Sequence, residues 1–215
     1  MTTEDALRGQ IIAFARRLEP EGLSVNRSGN ISARWADGFL ITPTSMAYET
    51  LAPSDIVFVA IDGVVPAGQR APSSEWRFHQ VIYGDRPEIG SVVHCHSTHA
   101  TALACVGRPI PAFHYMVAVA GGDSIACAPY ATFGTEALAT NVAEALSGGR
   151  RGCLLANHGQ IACGADLDAA FALAKDIEEL ARQYALALSI GPPNLLDAAE
   201  MARVLEQFAD YGKQS

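Results

Sequence analysis

Ser91-Val92-Val93-His94-Cys95-His96 is the stretch on which the reading of this chain turns. Its β-branched residues predict a strand. Side chains alternate along a strand, so His94 and His96 share one face and Cys95 takes the other. Two imidazoles on one face form half of a metal site. A third histidine from elsewhere would give three ligands and leave one position open, the pattern of a catalytic rather than a structural zinc. The competing reading makes these histidines buried, hydrogen-bonded core residues. Spacing alone leaves both open, because it fixes no closing ligand.

His158 is the best candidate for that third ligand. It falls in a turn after an apolar strand and precedes Gly159, where the backbone can be approached closely. His99 falls one turn into a helix, off the metal face. His79 and His114 read as structural or supporting residues. Glu75, after Ser73-Ser74, is a candidate acid/base beside the metal. The same triplet also fits a plain helix start, a hydroxyl cap followed by an acid. A helix N-terminus carrying two hydroxyls can equally cradle a phosphate. Gly29-Asn30 and Thr42-Pro43-Thr44-Ser45 read as turns that could complete an anion nest.

Outward from this strand, residues 2–18 predict a helix, with Thr2-x-x-Asp5 as a capping box and Leu7, Ile11, Phe14 and Leu18 as its stripe. Strands are expected at 31–34 and 39–42 around Ala36-Asp37-Gly38. Residues 56–61 and 64–65 are expected to pair across Asp62-Gly63. Ser73 or Ser74 should cap a helix reaching Tyr83, and a further helix should cover 98–106. Loops are expected at Pro109 and Pro111 and at Gly121-Gly122. Further expectations are a helix over 135–146, strands at 152–156 and 161–163, and a long amphipathic helix over 166–188. A last helix starts at Asp197-x-x-Glu200 and stops at Gly212. Short turns between clustered strands predict a single α+β domain over 1–215: three layers, with a central, largely antiparallel sheet flanked by helices.

Composition narrows the function. Fifteen Lys+Arg against twenty-three Asp+Glu give a formal charge of −8. No basic patch serves nucleic acid, and no Gly-x-x-x-x-Gly-Lys or Gly-x-Gly-x-x-Gly loop serves a nucleotide. The start of the chain is acidic rather than signal-like, no apolar stretch is long enough for a bilayer, and the five cysteines need no pairing. A cytoplasmic protein with free thiols is expected.

SGNIS (28–32), LITPTS (40–45), PSSEWRFH (72–79), VVHCH (92–96), IPAFHYM (110–116), CAPYATFGT (127–135) and NHGQIACG (157–164), taken in order, resemble the class II aldolase/adducin family nearly end to end. The resemblance implies that His94, His96 and His158 hold one zinc per chain and that Glu75 is the acid/base. It implies a phosphate pocket of Asn30, Thr44, Ser73 and Ser74, with backbone from Gly29 and with Ser45 in the loop. It implies a homotetramer in which Tyr115 reaches a neighbour's site and handles the aldehyde-oxygen proton, with Phe133 and Tyr211 at the same interface. The implied reaction is reversible cleavage of a ketose-1-phosphate of the L-fuculose type to dihydroxyacetone phosphate and an aldehyde. A 5-deoxy- or methylthio-pentulose phosphate is the alternative substrate; 4-epimerisation or decarboxylation is the alternative chemistry. Two departures stand out: Ser45 replaces a glycine of the phosphate loop, and Asn157 replaces a histidine before the ligand. Related 4-epimerases carry aspartate at position 75, so glutamate favours bond cleavage. Adducin-like members lack intact ligands, against a purely structural role here. Schiff-base chemistry is disfavoured, since the two lysines, Lys175 and Lys213, sit on a charged helix and near the C-terminus.

Overall fold

Strand β4 (Ser91–Cys95) is buried along its whole length at the centre of the sheet. It is buried on both faces, which is why it reads as a near-continuous apolar run. The computed structural model describes residues 3–24 and 28–210. Its seven strands run in the order β3-β2-β1-β4-β7-β6-β5. They are β1 (Asn30–Trp35), β2 (Gly38–Ile41), β3 (Val57–Ala60), β4, β5 (Ala126–Ala128), β6 (Gly152–Leu155) and β7 (Gly159–Gly164). All neighbours pair antiparallel except β5 and β6.

The described residues form six helices: α1 (Glu4–Arg17), α2 (Trp76–Asp85), α3 (Thr98–Cys105), α4 (Glu136–Ala145), α5 (Leu167–Ile190) and α6 (Ala198–Asp210). Helices α2 and α4 pack on one side; α1, α3 and α5 pack on the other. Alternation along the strands divides the apolar residues between two cores. Val93 and Cys95 join Ile177 and Phe171 of α5, whereas Val92 joins Phe78 and Ile82 of α2. This is the expected three-layer α/β/α architecture in a single domain.

Local signals place most elements. Thr135, Asp166 and Asp197 accept hydrogen bonds from the backbone N–H three residues on, starting α4, α5 and α6. The first helix is capped by Thr3, whose hydroxyl accepts from the Ala6 N–H (3.3 Å), one residue later than expected. Thr2 and Gly212 lie outside the described residues. Neither Ser73 nor Ser74 caps α2: the cap position is Glu75, whose side chain makes no capping bond.

The hairpin expected at Asp62-Gly63 is only a turn. The Gly63 N–H donates to Ala60 C=O, but Val64 and Val65 form no strand. Pro66 follows at once and cannot donate to a ladder. Instead the Gln69 carboxamide pairs with both backbone groups of Phe58, at 2.7 and 3.2 Å, and covers the edge of β3. Strand β5 and the short 3-10 helix Tyr115–Ala120 carried no periodic signal and were not expected.

Candidate metal and substrate site

Strand alternation turns His94 toward α2, where it meets Phe78 edge-on at 5.4 Å. Cys95 faces the α5 core, and burial pushes its thiol up to about 12, so it offers no thiolate to the site. His96 follows the end of β4. His158 comes from the β6–β7 turn, where Asn157 takes a left-handed φ of 56° that asparagine tolerates. Gly159 permits the approach of the two segments: a Cβ there would lie 2.5 Å from the Cys95 carbonyl oxygen and 2.8 Å from His96 Cδ2. Gly29 does the same on the other side, where a Cβ would lie 2.7 Å from the His94 carbonyl oxygen.

The nitrogens of His94, His96 and His158 all lie within 4.8 Å of one another, and His94 Nε2 is 3.0 Å from His96 Nε2. Bonds of about 2.0–2.1 Å to a tetrahedral zinc place ligand nitrogens roughly 3.3 Å apart. His94 Nδ1 lies 2.9 Å from the Gln160 carbonyl oxygen. A carbonyl can only accept, so Nδ1 carries the proton and Nε2 presents its lone pair inward. Burial first, then the neighbouring His94 and His158, push the His96 imidazole down to about 3, the neutral form that ligates metals. Glu75 Oε2 lies 3.1 Å from His94 Nε2, and Oε1, 3.2 Å from His158 Nε2, has no hydrogen-bond partner. The His94 lone pair facing a carboxylate oxygen at 3.1 Å repels it unless a positive charge lies among these groups. The donor set therefore fits a divalent cation.

Glu75 is buried beside the His94 and His158 imidazoles. Asn30 Nδ2 donates to Glu75 Oε2 (3.0 Å), and Asn30 Oδ1 faces His79 Nε2 (2.5 Å). His79 is fully buried, and burial pushes it down to about 3. Of the residues expected to bind phosphate, Asn30 is thus engaged chiefly with Glu75. Gly29, Thr44, Ser45, Ser73 and Ser74 line the same cavity of about 540 Å³, together with Glu75, His96 and His158. Two loops close this wall, since Thr44 N–H donates to Ala71 C=O and Ser73 N–H to Thr42 C=O. Ser45 adopts a φ of 59°, the left-handed conformation for which glycine is suited.

Phe133 lines this cavity and is itself exposed. Tyr115 is half-exposed, stacks on His114, and does not line it. Tyr211 lies outside the described residues. His99 is held by Glu178 at 2.7 Å, away from the triad. Asn157 lines the cavity, and its side chain donates to Cys105 C=O. The apolar wall built by Met46, Tyr130 and Ala131 was missed from sequence, because no local signal tells a cavity wall from a core residue.

The family model described as Class II Aldolase and Adducin N-terminal domain matches residues 9–185. The chain belongs to the class II aldolase/adducin family. A 5-methylthioribulose-1-phosphate/5-deoxyribulose-1-phosphate aldolase of Rhodospirillum rubrum is 52% identical over 207 residues, covering 96% of this chain and 93% of the relative. An L-fuculose phosphate aldolase of Escherichia coli is 49% identical over 207 residues, covering 96% and 95%. A solved L-fuculose 1-phosphate aldolase superposes with a TM-score of 0.90 at 40% identity, covering 94% of this chain and 96% of its own. This class II aldolase has no described helix long and apolar enough to cross a membrane.

Proposed function

We propose that this class II aldolase reversibly cleaves a ketose-1-phosphate to dihydroxyacetone phosphate and an aldehyde, with one zinc per chain on His94, His96 and His158. The observation that carries the reading is the convergence of three imidazole nitrogens and the Glu75 carboxylate beside a hydroxyl-lined cavity. A divalent cation held by His94, His96 and His158 would supply Lewis-acid polarisation of the ketose carbonyl. Gly29, Thr44, Ser45, Ser73 and Ser74, with Asn30, hold the phosphate through hydroxyls and amides, and none of these six residues is a lysine or arginine. As the C3–C4 bond breaks, the C4 hydroxyl gives up its proton and the carbon left behind gains one. Glu75, buried beside the triad, exchanges the carbon-bound proton.

Tyr115 and Tyr211 of a neighbouring copy complete the aldehyde end in a homotetramer, with Phe133 at the same junction. The exposure of Tyr115 and Phe133 supports this. The substrate has a terminal carbon without a hydroxyl. Both named relatives act on such sugars, and Met46, Tyr130, Ala131 and Phe133 give the cavity an apolar wall. L-Fuculose-1-phosphate and 5-deoxy- or 5-methylthio-ribulose-1-phosphate are the two candidates.

A panel of ketose-1-phosphates, assayed for dihydroxyacetone phosphate release with and without chelator, tests the reading. Release from one of these sugars, lost on chelation and restored by zinc, is expected. Release unaffected by chelator from metal-free protein would overturn the metal assignment. Equal kcat/KM for phosphorylated and free ketose would overturn the phosphate assignment.

A further inference from the structure

Beneath Glu75 runs a line of buried polar groups of which only the first, Asn30, lines the cavity. Glu75, His79 and Tyr83 recur every four residues on α2, so they share one face. Asn30 and Ser32 are two apart on β1, so they face that helix together. The result is a continuous chain: Glu75 Oε2 to Asn30 Nδ2 at 3.0 Å, Asn30 Oδ1 to His79 Nε2 at 2.5 Å, His79 Nδ1 to Ser32 Oγ at 2.7 Å, and Ser32 Oγ to the Tyr83 hydroxyl at 2.8 Å. All of these residues are buried, and Ser32 and His79 are fully so.

One constraint sets every proton in this chain. Asn30 donates its NH₂ to Glu75 Oε2. Its carbonyl oxygen then faces His79, so Nε2 must carry the proton. A neutral imidazole has one N–H, so Nδ1 accepts from Ser32, and Ser32 in turn accepts from Tyr83. Reversing any link turns the Asn30 carbonyl oxygen toward the carboxylate, acceptor against acceptor in a dry site.

We propose that His79, held by Ser32 and Tyr83, is a positioning residue for the reaction. It fixes the carboxamide of Asn30, and through it the carboxylate of Glu75. This inference rests on the reading of Glu75 as the proton-exchanging group. The chain also accounts for a buried histidine at position 79 that is not among the cavity-lining residues.

The test compares Glu75→Gln, His79→Leu, His79→Gln and Ser32→Ala in the full-length, zinc-loaded protein. Metal content, kcat and KM are measured for each, and the histidine tautomers are read by ¹⁵N NMR. His79→Leu should lower kcat by about 10- to 100-fold, the usual cost of removing a supporting partner, with zinc content unchanged and KM moved less than kcat. His79→Gln, whose NH₂ falls near the Nε2 position, should recover most of the loss, and Ser32→Ala should fall between. The signal lost in His79→Gln should be that of an Nε2-protonated, neutral ring. Wild-type kcat in His79→Leu, if Glu75→Gln is inactive, overturns the positioning role and leaves Glu75 standing. Full turnover in Glu75→Gln removes the reading beneath it. If His79→Leu does not fold, an Nδ1-protonated or charged His79 in the wild-type protein overturns the proposal by itself.

Discussion

At the scale of the residue, Glu75 has the clearest division between a helix-end group and a chemical one. Its side chain makes no capping bond and turns instead to two imidazoles and Asn30. Glu75→Gln keeps the shape and removes the base, so turnover should fall by ~10²–10⁴ while zinc content stays near one per chain. Steady-state kinetics with metal analysis checks this, and full turnover would return Glu75 to an ordinary helix end. Ser45 poses a second question. Its φ of 59° costs a non-glycine residue about 1–2 kcal/mol, against about 0.5–1 kcal/mol of extra chain entropy lost by glycine on folding. Ser45→Gly should therefore leave stability unchanged or raise it by up to ~1 kcal/mol, where most substitutions by glycine destabilise. Denaturant titration measures this; a loss beyond ~1 kcal/mol would mean that the Ser45 hydroxyl holds the loop.

At the scale of the element, the site depends on how closely the β6–β7 turn approaches β4. Gly159→Ala would drive a methyl into the Cys95 carbonyl and the His96 ring. Zinc affinity should drop by about 10- to 100-fold, as for a displaced ligand support, while the overall fold is retained. Competition with a chromogenic chelator reads the affinity, and an unchanged value would show that the turn yields without cost. The loop before β3 makes a pH-dependent contribution. Asp55 accepts from the Ala52 N–H, pairs with Arg70, and is held below its ordinary pKa by the first and then the second. Its folded pKa lies below the unfolded value. Its contribution is therefore present above the unfolded pKa of roughly 3.9 and is lost as pH falls through the folded one. Asp55→Asn should lower Tm at pH 6–7, and the gap to the wild type should close at still more acidic pH. A gap that persists unchanged at pH 2.5 would assign the effect to shape rather than charge.

At the scale of the whole molecule, the described fold closes its two cores around the sheet but leaves aromatic surface outside. Tyr115, Tyr130 and Phe133 are each more than half exposed, and rings with polar tips suit subunit contacts. Light scattering at assay concentration should give a mass four times that of one chain. Tyr115→Phe should keep that mass while lowering kcat. A fully active monomer would require the aldehyde end of the site to be completed within one chain.

The sequence by itself determined what is local. Alternation put His94 and His96 on one face and Cys95 on the other. Asp197-x-x-Glu200 marked the start of the last helix. Clustered strands with short turns gave the antiparallel sheet, and the motif series gave the family. These readings depend on backbone period and on side chains that hydrogen-bond within three residues, both visible in a one-dimensional string. Tertiary structure alone decided the rest. It made Glu75 rather than a serine the cap of α2, gave the edge of β3 to Gln69 rather than to Val64 and Val65, and aligned α2 against β1 so that Glu75, Asn30, His79, Ser32 and Tyr83 form one chain. The physical reason is that these choices set one polar group against another from a distant segment, and only the packed layers determine which group is near enough to bond.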